Sequence, residues 1–170
     1  MSTPTDKAEG TAGSQFEPFN VNVRIKISAL WTAMLFVFAY VDLFSFFRSD
    51  FRAHVEAGEV GGFTISQSFL VGATIYVVIP ALMVFASLVL RPKINRIVNI
   101  ALSVVYALTI IGGAVGEWNY YIVGSAIEIA ALLGVVYCAW TWPKRDAEFK
   151  TSMITASRSR DRARELGEVT

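Results

Sequence analysis

Four long runs of apolar residues dominate the chain, each bounded by polar or basic residues. They extend over about Ile27–Phe47, Ser66–Leu90, Ile97–Val115 and Trp118–Trp142. None alternates with the two-residue period of a half-buried strand, so the pattern predicts helices rather than the strands of a membrane barrel. A helix needs about 20 mainly apolar residues to cross a bilayer core about 30 Å thick. Each run meets that length, and four in succession predict an all-α integral membrane protein. The connections RPKINR and the few residues around Gly116 and Glu117 are short, which predicts antiparallel neighbours in a four-helix bundle. The stretch from Arg48 to Ile65 is longer. There Ser49 is expected to cap a short interfacial helix reaching about Ala57 and stopped by Gly58, with Phe47, Phe51 and Val55 on one side. Gly61 and Gly62 then allow a sharp re-entry into the second span.

Composition agrees with this reading. Of 170 residues, 54% are hydrophobic and 17% charged, against about 25% charged in a typical soluble domain. A net charge of +1 gives no overall attraction to nucleic acid, and nucleic acid is not an expected partner. The expected partner is the lipid bilayer, with a second copy or a larger membrane protein as further candidates. The polar stretch 1–25 lacks the apolar residues to fold alone and is expected to be a disordered cytoplasmic tail, not a signal peptide. Residues 26–143 form the transmembrane domain in this division, and 144–170 a basic tail in which acidic residues interleave with Lys and Arg.

The basic residues also predict an orientation. Lys7, Arg24 and Lys26 precede the first span. Arg91, Lys93 and Arg96 occupy the middle turn, and seven Lys or Arg follow the fourth span, leaving only Arg48 and Arg52 for the other side. The positive-inside rule then places both termini and the middle turn in the cytoplasm. Interfacial residues are expected at Trp118, Tyr120, Trp140 and Trp142, together with Arg91, Lys93 and Arg96.

Candidate chemistry is confined to a few positions. Asp42 and Glu128 are the carboxylates inside the spans, where an acidic residue costs about 2.5–3.5 kcal/mol on insertion scales and faces protein or a wet cavity. Around Glu128, residues Tyr121, Gly124, Ser125 and Ala131 share a helical face rich in small residues, so Glu128 is expected to point into the bundle. Asp42, Glu128, Tyr121 and Ser125 make a candidate polar site, open to the outside and either proton- or cation-responsive or purely structural. Pro80 in the second span removes the helical donor of the Tyr76 carbonyl, which predicts a kink or a cavity-lining carbonyl. Asn95 and Asn99 are expected to bond headgroups or helix ends, and Gly112, Gly113 and Gly116 to serve close packing. Cys138 is read as a packing residue. One Cys and one His leave neither a disulfide framework nor a metal site to expect, and no cofactor is expected. The metalloprotease, phosphate-loop, dinucleotide and serine-elbow signatures are absent, so an enzyme is the less favoured class. A quinone-linked redox protein and an accessory subunit of a larger membrane complex stand beside a proton-coupled transporter or channel component.

Several segments in order and spacing resemble a family of small, uncharacterised four-span bacterial membrane proteins. They are SALW at Ser28–Trp31, the Tyr40–Asp42 pair, GGFTISQSFLVGATIYVVIPALMVFASLVL from Gly61, NRIVNI from Asn95, YYIVGSAIEIA from Tyr120 and YCAWTWP ending at Pro143. The architecture is also loosely similar to the DoxX-like four-helix group. The resemblance implies a multi-pass membrane location and no particular activity. It also implies an acidic residue before the second-span proline in many members, where this chain has Val78.

Overall fold

The computed structural model describes residues 21–142 together with Thr155, Ser157 and Arg158. The expectations for residues 1–20 and for most of the C-terminal tail lie outside the described residues. The chain forms α1 (Val23–Ser45), α2 (Ser49–Glu56), β1 (Glu59–Val60), β2 (Phe63–Thr64), α3 (Gln67–Val89), α4 (Pro92–Ala114) and α5 (Asn119–Trp140). The helices α1, α3, α4 and α5 have 22 or 23 residues each and are long and apolar enough to cross a membrane. At 1.5 Å per residue, 23 residues extend about 34 Å, enough for a hydrocarbon core of about 30 Å.

The boundaries have local causes. Asn22 accepts from the Arg24 amide and opens α1, and Ser66 accepts from the Phe69 amide and opens α3. Pro92 starts α4 at its first position, where the missing N–H costs nothing. The third span therefore begins five residues before the apolar run at Ile97. Ser49 is the first residue of α2 rather than its cap; Arg48 occupies the cap position, and its side chain makes no capping bond. Gly58 follows α2 with φ +82°. Beyond it a two-stranded hairpin pairs Glu59 with Thr64 and Val60 with Phe63. Its turn is Gly61–Gly62, with φ values of +56° and +81°. Two successive positive φ angles suit the right-handed twist of a hairpin, and glycine adopts them without a Cβ clash.

The helices form an antiparallel bundle in the ring order α3, α1, α5, α4, and its α3–α4 side is the least closely packed. In α1 the buried residues Ile27, Trp31, Met34, Val41 and Ser45 form one seam. Trp31, Met83, Tyr106, Leu132 and Val135 belong to the central core. Bulky apolar side chains cover the outside: Phe36 is 62% exposed and Leu108 65%. Asn95, Asn99, Ser87 and Ser103 are buried at 0–1%. This inversion, apolar outside and polar inside, suits lipid as solvent, because lipid cannot satisfy polar groups. The chain is a multi-pass membrane protein.

Near the α3–α4 turn Ser87, Asn95 and Asn99 form one network with Trp31. The Trp31 indole donates to Asn99 Oδ1 at 2.7 Å, and the Asn99 amide donates to the Asn95 carbonyl at 2.8 Å. Asn95 Nδ2 donates to the Ser87 carbonyl at 2.6 Å. That carbonyl is one of the last four of α3 and has no helical donor of its own. Asn95 and Asn99 therefore cross-link α1, α3 and α4 inside the bundle, not at lipid headgroups. Their position on the inward face of α4 decides this. Two further contacts secure the same end, where the Arg24 guanidinium lies 5.8 Å from the Trp142 ring and that of Arg96 lies 5.2 Å from Trp140.

Candidate functional site

The opposite end of the bundle, which carries α2 and the hairpin, is built differently. All buried residues of α3 lie from Pro80 onward: Pro80, Met83 and Ser87. Before the proline every α3 residue except Phe69 and Tyr76 is exposed, so the loosely packed α3–α4 side, joined here through Tyr76, is a shallow cleft. A Cβ placed on Gly72 of α3 or Gly112 of α4 would meet nothing within 4 Å. Gly112 thus serves no close packing, and Gly116 is required instead for a turn with φ +84°. Gly113 alone of these three approaches a neighbour, the Tyr121 hydroxyl, which a Cβ would meet at 3.7 Å.

The floor of the cleft is a tyrosine cluster. Pro80 leaves the Tyr76 carbonyl without its helical donor, and the Tyr106 hydroxyl supplies one at 2.6 Å. The Thr109 hydroxyl donates to the Tyr106 carbonyl at 2.8 Å, and so accepts at 2.7 Å from the Tyr76 hydroxyl. The two tyrosine rings lie 4.8 Å apart between centroids. The carbonyl exposed by Pro80 is thereby consumed inside the protein.

Glu128 lies at mid-length in α5. It is 2% exposed, and Ser125, one turn earlier, is 3% exposed. Neither side chain has a hydrogen-bond partner among the described residues. Asp42 in α1 is exposed and likewise has none. Asp42, Glu128, Tyr76 and Tyr121 lie near one another. Helix direction explains the convergence. Each Cα–Cβ bond tilts toward its helix N-terminus, and α1 and α5 run antiparallel, so Asp42 and Glu128 lean toward each other. Gly124 brings the helices together just beside them; a Cβ there would overlap Val41 Cγ2. Glu128 is one turn from Gly124, about 6 Å along the axis.

Lys and Arg within the four long helices are Arg24, Lys26, Lys93 and Arg96, all at the other end of the bundle. The two carboxylates therefore have no Lys or Arg of the long helices at their end of the bundle. Such a set can bind and release protons or hold a cation. Among the described residues no cluster of three His, Cys, Asp or Glu is arranged to hold a metal ion. A separate groove of about 510 Å³ on the outer face of α1 and α5, lined by Phe36, Tyr40, Phe44, Tyr120 and Gly124, includes neither carboxylate.

A polar clasp closes the end of the bundle beyond the cleft. Arg48 pairs with Asp50 at 2.6 Å and with Glu117 in the α4–α5 turn. Its guanidinium also lies 4.7 Å from the Trp118 ring, and Tyr120 shares a hydrogen bond of 2.8 Å with Ser45. Arg48 holds the Asp50 carboxyl below its ordinary range through this hydrogen bond.

Of the residues singled out from sequence, Asp42, Glu128 and Tyr121 lie near one another and Ser125 is one turn from Glu128 on α5, while Trp118 and Tyr120 belong to the clasp. Trp140, Trp142 and Arg96 fall at the other end with Arg91 and Lys93. Sequence reasoning missed Tyr106 and Thr109, and it used Tyr76 only for its carbonyl. Tyr76 and Tyr106 are polar-tipped residues at mid-span, each facing another helix, and that depth was the available signal.

No curated protein and no solved structure matches the chain. Residues 16–148 match a family described as a family of unknown function (DUF6326). That match covers well over half of the 170 residues, and the chain therefore belongs to the DUF6326 family.

Proposed function

We propose that the protein couples proton binding at Glu128 to the movement of a small solute through the cleft between α3 and α4. One observation carries this reading. Glu128 is 2% exposed at mid-length in α5, has no hydrogen-bond partner among the described residues, and lies one turn from Gly124, where α1 and α5 touch. A structural glutamate would bond across a helix interface, as Asn99 does with Trp31. An unbonded one is free to exchange a proton. Asp42 stands nearer the hairpin end and relays protons between solvent and Glu128, and Tyr121 and Ser125 complete the path.

The basic residues at the α3–α4 turn support a bacterial cytoplasmic membrane orientation with that turn and both termini inside. The cleft then opens outward. In a Cys138→Ala background, a cysteine at Glu59 reacts with an impermeant thiol reagent on intact cells, and cysteines at Ser2 and Thr170 do not. The reverse pattern would place the cleft on the cytoplasmic side.

The test of coupling uses proteoliposomes containing a pH-sensitive dye and challenged with anionic, neutral and cationic small solutes. At least one class should move protons in step with itself, and Glu128→Gln should abolish that movement while the protein stays folded. Equal proton movement in the variant would overturn the proposal.

A further inference from the structure

The two ends of the bundle differ in charge. Among the described residues, the carboxylates Asp42, Asp50, Glu56, Glu59, Glu117 and Glu128 all lie between the middle of the helices and the hairpin end. The other end carries Arg24 and Lys26 of α1, Arg91 and Lys93 at the α3–α4 turn, and Arg96 of α4. At the hairpin end Arg48 is neutralised by Asp50 and Glu117. None of the five cations at the opposite end has a carboxylate partner among the described residues. Two of them are held in place without being neutralised. Arg24 donates to the Leu88 carbonyl in the last turn of α3 and lies against the Trp142 ring, and Arg96 lies against Trp140. The bond to Leu88 uses one of the five N–H donors of Arg24 and leaves the others for an anion. Arg91 is exposed and follows Leu88 by three residues, a stretch of chain that covers at most about 11 Å. Arg24 and Arg91 therefore share one corner between α1 and the end of α3.

Apolar side chains stand next to these cations along the chain. Ile25 follows Arg24, Val89 precedes Arg91, Ile94 follows Lys93 and Ile97 follows Arg96, and all four are exposed. A free phosphate ion would use the cations alone. An amphiphile with an anionic head and apolar chains matches both kinds of surface, and its head sits at the depth where the spans end. We infer that the Arg24–Arg91 corner binds the phosphate of an anionic phospholipid in the leaflet that holds the α3–α4 turn. Its acyl chains lie along Ile25 and Val89, and Lys26, Lys93 and Arg96 extend the cationic rim. A zwitterionic phospholipid carries a positive group beyond its phosphate and gains less from the same rim. This site requires neither proton exchange at Glu128 nor solute movement, so it stands or falls separately from the function proposed above.

The experiment titrates the full chain, delipidated in a neutral detergent, with three probes. They are phosphatidylglycerol, phosphatidylcholine with the same acyl chains, and inorganic phosphate. Native mass spectrometry counts the bound lipid, and the midpoint of thermal unfolding reports whether binding stabilises the fold. Phosphatidylglycerol should bind saturably and raise the midpoint. Phosphatidylcholine should bind about fivefold more weakly or worse, and inorganic phosphate at the same concentrations should leave the midpoint unchanged. Arg91→Gln removes one cation from an exposed position whose side chain makes no hydrogen bond among the described residues, so the fold is kept. It should weaken phosphatidylglycerol binding about fivefold, the effect of one basic residue at a membrane surface. Adding Lys93→Gln should weaken it further, while Arg52→Gln at the hairpin end should bind as the parent does. Equal binding of the two phospholipids, equal stabilisation by phosphate alone, or an Arg91→Gln variant that binds like the parent or no worse than Arg52→Gln would each overturn the inference.

Discussion

At the scale of single residues, glycines separate packing from open space more sharply than any other type. Gly124 and Gly112 are both helical glycines of apolar runs, and in sequence nothing distinguishes them. In the folded chain a Cβ on Gly124 would overlap Val41, while one on Gly112 would meet nothing. Gly124→Ala should therefore force α1 and α5 apart and lower stability by about 1–3 kcal/mol, as overpacked cores do. Gly112→Ala should be neutral or stabilising by up to about 1 kcal/mol, because alanine restricts the unfolded chain more. Denaturation midpoints in detergent compare the two, and equal losses would show that α4 is packed where the cleft is described. Asp42 and Glu128 were legible from sequence alone, because a charge in an apolar run is conspicuous. Asn95 and Asn99 were legible as polar but not as core. Their place at the end of a span next to Arg96 suits a headgroup as well as a helix, and only the inward face of α4 decides between them.

At the scale of elements, Pro80 organises the cleft. It stands at the point where α3 stops being exposed and begins to be buried, and the carbonyl it leaves bare is the acceptor for Tyr106. This yields a test by double-mutant cycle. Tyr106→Phe removes the donor and leaves the Tyr76 carbonyl unpaired inside the membrane, which should cost about 1–2 kcal/mol. In a Pro80→Ala background the restored backbone N–H reaches that carbonyl, and the same Tyr106→Phe change should cost much less. Additive losses in unfolding experiments would show that proline and tyrosine do not share the acceptor. The four long helices were readable from length and apolarity, with α4 extended to Pro92 by proline's preference for a first turn. The hairpin Glu59–Thr64 was not read as strands, although its Gly61–Gly62 turn was seen. Strands of two residues are too short to display an alternating pattern, and the paired glycines between Val60 and Phe63 were their only sign.

At the scale of the whole molecule, the bundle has one end tied internally and one end held by an exposed clasp. The Trp31–Asn99–Asn95–Ser87 network contains no titratable group and should hold at any moderate pH. The clasp depends on carboxylates. Asp50 has a folded-state pKa below its ordinary value of 3.8. Its contribution is therefore present above that value and lost as pH falls through the lower folded one. Amide exchange in α2 and the hairpin should accelerate in acid below that ordinary value while exchange near Asn99 stays slow, and Arg48→Gln should give the faster α2 exchange already at neutral pH. Uniform acceleration along the chain would mean that the clasp stabilises nothing locally. The central claim of the account concerns the group beneath that clasp, Glu128, and carboxyl infrared titration of the reconstituted protein tests it most directly, with Glu128→Gln as the subtraction control. The account predicts a carbonyl band of the neutral acid that is absent from the variant and that disappears and returns reversibly as external pH is raised and lowered. A Glu128 signal that stays in one protonation state throughout would contradict it.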